Sequence, residues 1–319
     1  MRSLAFCCCF IAFGAGAQVL NVGGGPSTDY VNLRALVQPA LEQFDVRGII
    51  PISPGWSAAL HGDEVHFSDQ LQLGTAAVPR NLWELDASLS YSRPLSEGRG
   101  LAFTLGVGTT SDKPFHSIDE TAISATALYS MPASANSRWL FGLNFSNNRP
   151  VLNYIPIPVV AWLFHYDTLE GSVGFPFASL RWRPAPAWDA SAAIIATNIS
   201  AEVGYRPVQP LRLSLGYAWA QQLWALADRA DTSTRLFYDS MKTFAGVEFP
   251  IAPWLVMQLS GGYVFEERVF EGKSEFDRPV ETAIAPNWFA SATLKIPFPV
   301  AEARAAPPGA RQTRAAGPP

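Results

Sequence analysis

From Trp83 to Val107 the chain alternates apolar and polar residues so strictly that only an extended backbone accommodates the pattern. Trp83, Leu85, Ala87, Leu89 and Tyr91 fall on one set of positions, and Glu84, Asp86, Ser88 and Ser90 on the other. A strand sends the two sets to opposite faces, whereas a helix would scatter both around its circumference. Pro94, Gly98 and Gly100 break the run, after which Leu101, Phe103, Leu105 and Val107 alternate with Ala102, Thr104, Gly106 and Gly108. The same unit recurs through Trp139 to Phe145, Ala190 to Ala196, Ile199 to Tyr205, Leu211 to Trp219, Met241 to Phe249, Leu255 to Phe265 and Ala290 to Phe298. An apolar face repeated this often needs either a second sheet or lipid against it. Its frequent Trp and Tyr favour lipid, because these residues settle at membrane interfaces.

Composition agrees with that reading. Charged residues are 16% of the chain, against about 25% in a soluble domain, yet mean hydropathy is only +0.09. Membrane barrels occupy this gap because only alternate residues meet lipid. A net charge of -4 and a pI near 5.6 exclude a nucleic-acid partner, which needs a basic surface. Met1-Arg2-Ser3, the apolar run Leu4 to Phe13 and the small residues Ala15-Gly16-Ala17 read as a signal peptide over 1–17, cut after Ala17. Cys7, Cys8 and Cys9 all lie within it, so no disulfide or thiolate-bound metal is expected in the mature chain. Beyond it no run approaches the roughly 20 apolar residues of a membrane helix. Residues 18–29 read as a flexible lead-in, 30–298 as one barrel domain and 299–319 as a disordered Ala/Pro/Arg tail.

The expected fold is therefore all-β, a transmembrane antiparallel up-and-down β-barrel of about 12 strands, within roughly 10 to 14, in the cell outer membrane. Weaker alternation at Phe44, Val46, Gly48, Ile50 and Ile52 predicts one or two strands between Tyr30 and Leu60, and Gly62 to Arg80 reads as an exposed loop. Val159, Ala161 and Leu163 share a face, and Val173, Phe175 and Phe177 begin the following rise. Short Pro-rich turns at Ser92, Pro132, Pro184, Pro207 and Pro250 are assigned to the periplasm. The long polar connections at Thr109 to Glu120, Gln221 to Thr234 and Glu266 to Pro286 are assigned to the outside. Trp83, Tyr91, Trp139, Tyr205, Trp219, Trp254 and Trp288 are expected in the interfacial girdles.

Charges inside strands should then face the lumen, since an Arg or Lys at the bilayer midplane costs about 2–4 kcal/mol. Glu84, Asp86, Glu202 and the group Arg181, Arg183, Asp189, Arg206, Arg212, Glu248 and Lys295 all obey this register. The last seven are predicted to form a lumenal charge ring near the periplasmic end. Such a ring either braces the wall through mutual pairing or selects small solutes by charge, with a weak anion preference because bases outnumber acids in it.

Other candidate chemistry is thin. His61-Gly62-Asp63-Glu64-Val65-His66 lacks the helical His-Glu-x-x-His spacing and reads as solvated loop rather than a metal site. His165, Asp167 and Ser172 could join a hydrolase site only if folding brought them together. His116, close to Asp112 and Asp119, reads as loop polarity, and Glu266 to Glu281 as a hydrated run able to bridge lipopolysaccharide through divalent cations. No catalytic, cofactor-binding or metal residue is assigned, and no cofactor is expected. The partners implied are outer-membrane lipid and lipopolysaccharide, with barrel-assembly machinery during insertion and small solutes if the lumen is open.

Pro156-Ile157-Pro158 and the stretch from Gly174-Phe175-Pro176-Phe177 to Arg181-Trp182-Arg183-Pro184 resemble the bacterial outer-membrane β-barrel family called domain of unknown function 6268. Val159 and Val160 stand where that pattern has a glycine after the second proline. The resemblance implies a fold and a location and transfers no catalytic residue. The reading is a non-enzymatic outer-membrane barrel, a passive channel or structural component. The alternatives are a barrel enzyme acting on lipid or lipopolysaccharide and a soluble exported all-β binding protein.

Overall fold

The structure, a computed structural model, describes residues 30–297 apart from 228 and 230. The expected signal peptide, lead-in, tail and Phe298 lie outside the described residues. The strands are β1 (Tyr30–Gln38), β2 (Leu41–Ser53), β3 (Trp56–Phe67), β4 (Gln72–Leu73), β5 (Ala76–Ala77), β6 (Asn81–Pro94) and β7 (Gly100–Ser111). There follow β8 (Thr121–Ser134), β9 (Ser137–Ser146), β10 (Ile157–His165), β11 (Leu169–Phe175), β12 (Phe177–Ala185) and β13 (Trp188–Ile195). The series ends with β14 (Asn198–Val208), β15 (Leu211–Trp224), β16 (Arg235–Ala252), β17 (Leu255–Gly272), β18 (Val280–Ala283) and β19 (Asn287–Pro297).

Each long strand pairs antiparallel with its neighbours in sequence, and β1 pairs with both β2 and β19, which shuts the sheet into a hoop. β18 attaches to β17 alone, and β4 with β5 forms a separate small hairpin. Sixteen described strands make up the wall, so the expected count of about 12 is corrected upward. Closure pairs each of the sixteen wall strands on both sides, the condition for a sheet surrounded by hydrocarbon.

The apolar residues point outward, as the alternation requires. Leu89, Leu105, Leu143 and Leu215 are 44%, 66%, 56% and 66% exposed, whereas Glu84, Ser90, Thr104 and Asn144, on the opposite register, are buried. Trp56 with Tyr91 and Trp188 with Tyr205 form tilted ring pairs, 4.8 and 4.6 Å between centroids, beside the turns at 53–56 and 185–188. Trp288, 73% exposed and edge-on to Tyr263, lies at the opposite end.

One end of the barrel carries the start of β1, the end of β19 and only short turns. The other carries the long connections 68–80, 112–120, 147–156, 225–234 and 273–286, together with tight hairpins at 39–40, Pro176 and 196–197. At this loop end the interior is filled. Leu41, Phe67, Leu82, Trp224, Leu236 and Val269 belong to one buried apolar cluster, and each such side chain contributes roughly 1.5–3 kcal/mol by leaving water.

Three sequence expectations fail near this end. Gly62 to Arg80 is not all loop, because β3 continues to Phe67 with His61, Asp63, Val65 and Phe67 buried. Phe177 does not continue the outward face of Val173 and Phe175: Pro176 alone separates two strands, and Phe177 turns inward onto Leu128, Leu140, Val159 and Ala161. The Glu266 to Glu281 run is not one hydrated loop, since β17 extends to Gly272 and Glu267 is buried beneath Tyr238 and Gln38.

Candidate functional site in the barrel lumen

Two walls of the lumen concentrate charge. On the wall from β11 to β15, strand pairing sets Glu170 opposite Arg181 and Ser191 opposite Glu202, while Asp189 lies opposite Gly204. Asp189 accepts from Arg212 Nε at 2.9 and 3.0 Å and from Arg206 at 3.4 Å. The other side of the Arg212 guanidinium reaches Glu202 at 2.6 Å. Gly204 makes this possible, because a Cβ there would overlap both the Arg212 guanidinium and the Asp189 carboxylate. Glu170 gathers Arg183 at 3.2 Å, Arg181 at 3.7 Å and His165 at 3.2 Å. Further round, Lys295 donates to Glu248 at 2.5 Å.

The seven residues expected to form a ring are therefore placed in three ion-pair groups, with every one of them facing an opposite charge. Glu170 and Glu202 belong to these groups but not to the expected ring. Glu170 is the second residue of β11, beside the turn of 166–168, and Glu202 shares the lumenal register without being among the seven. Their inclusion nearly cancels the excess of bases on which an anion preference would rest.

The second wall runs across β1, β2, β3 and β6. Register aligns Arg34, Asp45, Asp63 and Glu84 in one lumenal row and Arg47, His61 and Asp86 in the next. Arg47 Nε donates to Asp45 at 2.8 Å, and His61 Nε2 lies 3.0 Å from the same carboxylate. Asp63 accepts from Gln43 at 2.7 Å and, across the lumen, from Gln222 of β15 at 2.7 Å. His61 Nδ1 lies 3.4 Å from Glu84 and 3.7 Å from Asp86. Neither approach is a hydrogen bond: His61 Nδ1, Glu84 Oε2 and Asp86 Oδ2 are buried polar atoms without a hydrogen-bond partner. Glu64 and His66 point to the other side of β3, so the sequence run splits between two faces and half of its polar residues enter the lumen.

The lumen is also bridged. β15 stands nearly diametrically opposite β6 and β7 in the strand order. Even so, Ala225, just past its end, bridges to Ser111, and the Ala225 amide donates to Thr110 at 2.8 Å. Ala227 N donates to Asp112 at 2.8 Å, and Asn148 bonds Thr110 from a third loop. No hydrolase group assembles from the residues considered: His165 meets Glu170, while the Ser172 hydroxyl pairs with Ser179 at 2.9 Å.

No family model matches the chain, and no curated protein matches it in sequence. Solved structures show a distant likeness. The NanC porin is 7% identical over 84% of this chain and 100% of its own, with a TM-score of 0.33. The CymD monoaromatic hydrocarbon channel is 9% identical over 90% and 94%, TM-score 0.38. The Pseudomonas putida toluene transporter TodX is 8% identical over 86% and 91%, TM-score 0.35. The closed barrel of this chain rests on its own strand pairing.

Proposed function

We propose that the chain is an outer-membrane barrel without enzymatic activity, whose lumen is closed at the loop end and which serves as a structural component or a narrow passage. A barrel of 16 to 18 open strands would ordinarily enclose an aqueous channel. The observation that carries this reading is the contact between facing walls, Ser111 with Ala225 and Asp63 with Gln222, inside a hoop whose outer face is apolar. The separate destinations of His165 and Ser172 support the non-enzymatic part, and the lipid-facing belt supports membrane residence. The test is reconstitution in a planar bilayer. Conductance is expected far below that of an open porin, and to rise when 226–234 is replaced by a short Gly/Ser link. A large steady conductance from the intact chain would overturn the closed lumen, and release from membranes by carbonate would overturn membrane residence.

A further inference from the structure

We propose that His61, Glu84 and Asp86 form a binding site for one divalent transition-metal ion on the lumenal wall, with Asp45 orienting the histidine. The three residues each offer a ligand atom, and all three atoms lie within 4.8 Å of one another. Two ligands held about 2.0–2.1 Å from a tetrahedral zinc ion are roughly 3.3–3.4 Å apart. The 3.4 and 3.7 Å from His61 Nδ1 to the two carboxylates are close to that edge.

Geometry alone would describe any acidic cluster. The unsatisfied atoms go further. The side chains of His61 and Glu84 are only 5% and 2% exposed, and His61 Nδ1, Glu84 Oε2 and Asp86 Oδ2 all lack hydrogen-bond partners. Buried polar atoms without partners are costly, and three on neighbouring side chains call for a shared ligand; His61 Nδ1 is 3.4 Å from Glu84 Oε1, and the unpaired Oε2 belongs to the same carboxylate. Neighbouring Asp63 shows the contrast, since Gln43 and Gln222 satisfy it and it is left out of the site.

The histidine is held as a metal ligand should be. Its Nε2 lies 3.0 Å from the accepting Asp45 carboxylate, which leaves the Nδ1 edge turned toward Glu84 and Asp86 as the nitrogen a metal would take in exchange for a proton. Asp45 is itself held by Arg47 at 2.8 Å. Gly108, opposite Asp86 on β7, leaves the room, because a Cβ there would overlap the Asp86 carboxylate. Charge points the same way. Asp45, Asp63, Glu84 and Asp86 face Arg34 and Arg47 on this wall, and Lys242 from β16 stands near both Glu267 and Asp63, so that five acids meet three bases. With a neutral imidazole two negative charges remain, and a divalent cation balances them. One nitrogen and two carboxylates suit zinc, cobalt or manganese better than magnesium or calcium, which prefer all-oxygen shells.

The test uses the untagged full chain, folded in detergent, stripped with a chelator and titrated with Zn2+ and with Co2+. One equivalent is expected, with Co2+ giving visible ligand-field absorption. Glu84→Gln should weaken binding at least about 10-fold, and Asp45→Asn by about 10- to 100-fold, the usual cost of losing an orienting partner. Paired Glu64→Gln and His66→Ala, on the outward face of the same strand, should leave affinity unchanged. Heat-modifiable gel mobility reports whether each variant has folded. If Glu84→Gln does not fold, X-ray absorption of the zinc-loaded wild type decides: a shell with nitrogen near ~2.0 Å supports the site, and one without nitrogen overturns it. Less than half an equivalent bound by the wild type, or unchanged affinity in a folded Glu84→Gln, would also overturn it.

Discussion

The two charged walls of the lumen solve the same problem differently. Between β11 and β15 each carboxylate has its cation: Arg212 divides itself between Asp189 and Glu202, and Glu170 collects Arg181, Arg183 and His165. Between β2 and β6 acids exceed bases, and polar atoms on His61, Glu84 and Asp86 go unmatched. A wall that completes itself needs nothing further and acts as bracing. One that is left incomplete is where a bound species belongs. Ionisable residues facing a lumen therefore differ in meaning according to whether their partners come from the chain.

The contrast can be broken most severely on the braced side. Arg212→Ala leaves Glu202 unpaired and Asp189 with Arg206 alone. For a partly buried group that keeps one partner the loss should be about 2–3 kcal/mol, below the roughly 3–5 kcal/mol of a fully buried broken pair. Denaturant unfolding in lipid vesicles measures it, and a loss below about 1 kcal/mol would mean the wall does not depend on that pairing. Next in size is the response to zinc. At a hundred times its dissociation constant a ligand stabilises the folded state by about 2.7 kcal/mol, so wild type and Arg212→Ala should both gain this much and Glu84→Gln, with binding at least about 10-fold weaker, no more than about 1.4 kcal/mol. Equal gains in all three proteins would erase the distinction between the walls. The smallest effect is expected at Lys295 and Glu248, whose side chains remain 35% and 27% exposed. Lys295→Met should cost no more than about 1 kcal/mol in the same unfolding assay, and a larger loss would place this pair with the buried bracing.

The middle of the barrel wall was legible because most of its strands keep to one rule, apolar out and polar in. Leu105 with Thr104 and Leu143 with Asn144 follow it without exception. Above that level the rule inverts. Val65 and Phe67 point into the apolar cluster while Glu64 and His66 face out, and on β17 Val269 is inside while Glu266 and Arg268 lie on the other face. A strand that changes its solvent halfway along presents two opposite patterns in succession, which is why β3 read as strand and then loop. Pro176 concealed another strand by joining two with a single residue, so their apolar positions ran on in phase across the turn. The lumenal pairs at Arg206, Arg212 and Asp189 could be found from register. The grouping of His61 with Glu84 and Asp86 could not, because it depends on which strands are neighbours and by how much they are offset.

The seam between β1 and β19 has a consequence for how the molecule is made. Eight residue pairs, from Tyr30 with Pro297 to Val37 with Ala290, join the earliest wall strand to the one synthesised last. Until that final segment is made, β1 lacks its partner on one flank of the sheet and β17 on the other, two open borders able to recruit strands from other chains. Folding therefore has to keep the nascent polypeptide from sealing against anything but itself, and a chain cut short before residue 287 would carry two adhesive rims with no means of meeting.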